Sequence, residues 1–119
     1  QTDVEVTLLG KKLLLPVSRL ISAEQQAHYV LLRFEDGDHT VKGQLDELEP
    51  QLADFPFFRS HKSYLANLSY VTGIDRELLV FHMKDGQNVY IRRDRLKKAR
   101  DAWADCLFAQ MRKGGSSPT

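Results

Sequence analysis

The sequence predicts a mostly β fold of antiparallel strands, with a short helix near residues 44–53 and a C-terminal helix from about residue 94. Three observations carry that expectation. Apolar residues alternate with polar ones at Val4, Val6 and Leu8, the period of a strand with one buried face. Asp36-Gly37 and Asp85-Gly86 lie between apolar runs, where tight hairpins need residues that tolerate positive φ. Helical spacing is confined to Leu45, Leu48 and Leu52 and to the stretch after Asp94.

Taken in order, Val4 to Leu8, a turn at Gly10-Lys11, and Leu13 to Val17 read as an opening hairpin. Leu20-Ile21 is a short apolar segment, and Ser22 to Gln26 is polar and reads as a loop. His28 to Phe34 reads as a buried strand that returns through Asp36-Gly37 as His39 to Gly43. Leu45, Leu48 and Leu52 share a helical face, but Pro50 keeps that helix short, since proline lacks an N–H and clashes with the preceding turn. Phe57, Phe58, Tyr64 and Leu65 read as core rather than as a platform for stacked bases. Val71 to Asp75, Leu78 to Lys84 and Gln87 to Arg92 read as strands. Beyond them Leu96, Ala99, Trp103, Cys106, Leu107 and Gln110 form one helical stripe that would turn Trp103 inward. Asp94 is placed to cap that helix, its carboxylate accepting from free backbone N–H groups. One domain is expected over residues 1–112, followed by a flexible tail at 113–119 that includes Gly114-Gly115-Ser116-Ser117-Pro118.

Composition narrows the function. With 119 residues and 42% hydrophobic content, a single modest core can form. Apolar runs such as Leu13-Leu14-Leu15 are far below the roughly 20 residues that span a bilayer. The lone Cys106 has no disulfide partner within the chain and fits a reducing, cytoplasmic setting. A first residue of Gln rather than Met leads us to expect a domain upstream. His28, His39, His61 and His82 are too scattered for a metal site. Ser60-His61 lacks a nucleophile elbow, and no glycine-rich phosphate loop is present. Neither an enzyme nor a cofactor is expected.

The net charge of +1 hides an asymmetry. Residues 1–57 hold 5 Lys/Arg against 10 Asp/Glu, whereas residues 58–100 hold 10 against 4. Such a division gives a local positive field that attracts phosphates. A β-rich module binding acidic proteins through the same basic half is the alternative reading, and a single-strand binder a third.

Phe57-Phe58-Arg59-Ser60-His61-Lys62-Ser63-Tyr64-Leu65-Ala66-Asn67 resembles the F-x-R-x-H-x-S-[YF]-[LIV]-x-N core of LytTR DNA-binding domains. Tyr90-Ile91-Arg92-Arg93-Asp94-Arg95-Leu96-Lys97-Lys98 is similar to the family's closing stretch, with Arg92 in place of a serine and Asp94 in place of an arginine. The resemblance extends over roughly Val4 to Arg100. It implies an elongated β fold whose loops enter successive major grooves of duplex DNA, as the output domain of a bacterial regulator that is dimeric on repeated half-sites. An upstream receiver, ligand-sensor or membrane domain is implied as its partner. By position, His28 and Lys62 would contact bases, with guanine N7/O6 suited to Lys62. Arg59 and Ser63 would fix phosphates, and His61 would brace its turn. Arg93 or Arg95 would take the last groove contact, beside Arg92, with Lys97 and Lys98 at phosphates.

Overall fold

The computed structural model describes residues 3–115, with side chains as far as Arg112. Its elements are β1 (Asp3–Leu8), β2 (Lys11–Pro16), β3 (Leu20–Gln26), β4 (Tyr29–Phe34), β5 (Gly37–Lys42), α1 (Leu45–Gln51), β6 (Phe57–His61), β7 (Tyr64–Asn67), β8 (Val71–Asp75), β9 (Val80–Met83), β10 (Asn88–Tyr90) and α2 (Leu96–Gly115). The strands form a β1-β2 hairpin, a five-stranded sheet in the order β5-β4-β3-β7-β6, and a three-stranded sheet in the order β10-β9-β8. All of these pairings are antiparallel. The mostly β fold, the short helix and the C-terminal helix are therefore as the sequence predicts, in a body of 44 × 37 × 24 Å.

The polar stretch Ser22 to Gln26 is not a loop. It belongs to β3, the middle strand of the larger sheet, paired on one side with β4 and on the other with β7. Its polarity is met inside the fold: Ser22 is buried, and its hydroxyl lies 3.5 Å from Gln87 Oε1. Neighbouring strands, not the local pattern, decide its burial. The first hairpin turns at Leu9-Gly10, one residue earlier than the sequence implies, and both residues have positive φ (51° and 75°).

Two cores lie on opposite faces of the five-stranded sheet. Under the β1-β2 hairpin and α1, Val6, Leu8 and Leu15 pack with Leu20, Val30, Leu32, Leu45, Leu48 and Leu65. Between the sheet, β8–β10 and α2, Ile21 and Ala66 pack with Phe81, Met83, Val89, Ile91 and Ala99. Alternation along the strands produces this division, since Leu65 and Ala66 point to opposite faces. Phe57 packs against the first core, and Phe58 and Tyr64 against the second, so these aromatics are structural. Gly43 allows the end of β5 to close on β1: its φ is +153°, and a Cβ there would lie 3.1 Å from that of Leu8.

In α2, Leu96, Ala99, Trp103 and Cys106 face the second core as expected. Leu107 and Gln110 do not, because the helix runs past the body after Cys106. Phe108 and Met111 are likewise open, at 62% and 69% exposure. Asp94 does not cap α2. It lies in a single 3-10 turn, Arg93–Arg95, that leads into the helix, and its carboxylate pairs with Arg92 Nε at 3.0 Å. Of the flexible tail expected at 113–119, residues 113–115 belong to α2, and 116–119 lie outside the described residues. No helix among the described residues is long and apolar enough to cross a membrane, and no group of three or more His, Cys, Asp or Glu side chains there is arranged to hold a metal.

Candidate nucleic-acid interface

The basic residues singled out from the sequence gather at one end of the five-stranded sheet. Because β3 is antiparallel to both β4 and β7, the β3–β4 turn (Ala27-His28) and the β6–β7 turn (Lys62-Ser63) emerge side by side. The Gln25 amide donates to the Ser63 carbonyl at 2.8 Å and fixes their separation. On the other side of β6, the Arg92 amide donates to the Ser60 carbonyl at 2.8 Å, and Arg95 Nε donates to the Arg59 carbonyl at 2.8 Å. Three turns thus form one row, and α2 starts from its end with Lys97 and Lys98 exposed.

Within the row, exposure sorts the side chains. His28, Lys62, Arg92, Arg93, Lys97 and Lys98 are exposed. Arg92 is paired with Asp94, and Lys97 with Asp101 at 3.1 Å. Lys62 and Arg93 have no carboxylate partner among the described residues. Ser63 is half-buried, its amide donating to His61 Nδ1 at 3.1 Å, so His61 braces the turn.

Arg59 is turned inward. Its side chain is 16% exposed, its guanidinium donates to Glu49 at 2.8 Å and Asp46 at 2.9 Å, and it also donates to the carbonyls of His61 and Lys62. The donors that a phosphate would need are already engaged. Arg95, also half-buried, lies over the Phe58 ring at 4.8 Å while bonding to the Arg59 carbonyl. Ser60, fully buried, donates to the Tyr90 carbonyl at 2.6 Å, which binds β6 to the segment leading into Arg92. Asn67 donates to the Leu20 carbonyl at 2.8 Å and caps the next turn through Ser69. Among the motif residues, then, Arg59 and His61 shape the turn from which Lys62 projects, while Ser60 and Asn67 tie the flanking strands to their neighbours. Burial pushes the Tyr64 phenol above its ordinary range, and nearby Glu24 adds to the effect.

Sequence reasoning missed Gln25. Its side chain joins the β3–β4 turn to the start of α1. In the run Glu24-Gln25-Gln26 nothing distinguishes it from a solvated amide, and only its register in β3 exposes the role.

Fold and site define a β-rich module with a row of basic turns at one end of its larger sheet. The family model for the LytTr DNA-binding domain matches residues 10–104, and the chain belongs to that family. LytTR domains are DNA-binding, non-catalytic modules that act as output domains of response regulators. Among solved structures, the chain is similar to one described as the LytTr DNA-binding domain of a methyl-accepting/DNA response regulator from Bacillus cereus. That match has 21% identity and a TM-score of 0.68, and covers 86% of this chain and 96% of that one. It is a likeness of fold. No curated protein matches the chain.

Proposed function

We propose that this domain reads a specific duplex DNA site with the row of three turns, placing them in successive major grooves. The observation that supports this reading is the backbone bonding of Gln25 to Ser63 and of Arg92 to Ser60, which holds the turns at fixed spacing. Base recognition needs donors that are positioned before contact. In this reading His28, Lys62 and Arg93 reach base edges, with guanine N7/O6 the target of Lys62. Arg92, Lys97, Lys98 and the Ser63 hydroxyl take phosphates. Arg59 and Arg95 brace the row instead of touching DNA, a change from their sequence-based assignment that follows from their internal bonds.

The domain would act in the cytoplasm as the output of a regulator whose upstream receiver, ligand-sensor or membrane domain supplies the signal. Two copies would occupy repeated half-sites as a dimer. Fluorescence anisotropy with duplexes selected from a random library, repeated across a salt series, tests the central claim. We expect tight binding to the selected site and a steep linear fall of log affinity with log salt. No binding to any duplex pool at low salt would overturn it.

A further inference from the structure

The Gln25 side chain makes an unusual number of bonds for an amide at a strand end. Its Nε2 donates to the carbonyls of Ala27 at 2.9 Å, Tyr29 at 3.1 Å and Gly43 at 3.1 Å. Its Oε1 accepts the Leu45 amide at 2.7 Å, the first residue of α1. An amide nitrogen carries two hydrogens, so one of them is shared between carbonyls.

Each contact has a consequence for the row. Ala27 has a φ of 56°, a left-handed conformation that a side chain adopts at a cost and that its surroundings must hold. The bonds to Ala27 and Tyr29 enclose His28 from both sides. The bond to Gly43 holds the strand end whose own amide donates to the His28 carbonyl at 2.9 Å. Through its backbone, the same residue sets the neighbouring Lys62-Ser63 turn.

We infer that Gln25 is a positioning residue for base reading: it locks the conformation of the His28 turn and its offset from Lys62 without touching DNA. The inference rests on the proposed role of His28. Base-edge contacts tolerate displacements of only about half an ångström, so loosening this turn removes discrimination before it removes general attraction to DNA.

The test is a double-mutant cycle of Gln25→Ala and His28→Ala, titrated on the selected duplex and on random duplex, with urea unfolding of each variant. His28→Ala alone is expected to lower affinity for the selected duplex about tenfold, or 1.4 kcal/mol. Gln25→Ala is expected to do the same, leave random-duplex binding within about twofold, and make His28→Ala nearly silent in its background. Equal loss on selected and random duplex, or full additivity of the two substitutions, would show that Gln25 is only structural. No effect of His28→Ala by itself would instead remove His28 from the reading surface, and the inference with it. Gln25→Met, which keeps the side-chain volume, carries the same readings if the alanine variant lacks a single urea transition.

Discussion

Arg59 and Lys62 stand three positions apart in one motif and do opposite work. Lys62 projects from its turn without a carboxylate partner among the described residues, while Arg59 holds that turn to α1 through Glu49 and Asp46. Lys62→Ala should therefore cost about 1–3 kcal/mol on the selected duplex, relax base preference, and leave random-duplex binding nearly unchanged in competition anisotropy. Arg59→Ala should instead lower folding stability by about 2 kcal/mol, seen as a lower urea midpoint, because it removes a largely buried guanidinium and its bonds to two carboxylates and two backbone carbonyls. Arg59→Lys should recover little of that loss, since a point charge cannot span two carboxylates and two carbonyls. The motif made both residues legible as a pair of interest. Which of them faces outward was not legible, because the acids that capture Arg59 lie on α1, 10 and 13 positions away in sequence, and meet it only in the folded chain.

Local signals served well for elements whose partners are adjacent in sequence. The hairpins, the leucine spacing of α1 and the inward face of α2 all belong to that group. β3 does not, since a strand bounded on both sides can bury a serine and half-bury a glutamine when elements distant in sequence satisfy them. Asp94 shows the same limit on a smaller scale: Arg92 engages the carboxylate that would have capped the helix. Two predictions belong to elements. Leu9 takes a left-handed conformation in the first hairpin turn while 61% exposed, so Leu9→Asn should raise stability by about 0.5–1 kcal/mol in urea unfolding, asparagine accepting that conformation at lower cost. Leu48, fully buried between α1 and the sheet, should cost about 2–5 kcal/mol when truncated to Ala, measured the same way.

Across the whole molecule, the two cores are joined through one sheet and tied at one end of it by Tyr70, whose hydroxyl shares its one proton between the Ser18 carbonyl, at 2.8 Å, and the Glu35 carboxylate. Burial, then the Glu35 bond and charge, push that phenol up to about 12. A raised phenol pKa stabilises the folded state while the proton is retained, so the contribution is complete below pH 10 and is lost as the pH rises towards 12. The melting temperature of the wild type should consequently fall more steeply between about pH 10 and about pH 12 than that of Tyr70→Phe, the window between the ordinary and raised pKa values. The pairing of β3 with β7 has a further consequence, for the order of events during folding. β1 to β5 can zip through neighbouring hairpins, but the Lys62 turn takes its place beside His28 only after a long loop has closed. A chain still emerging from the ribosome would therefore carry most of its first core before it carried any surface able to read a sequence, and recognition would be acquired in a late step.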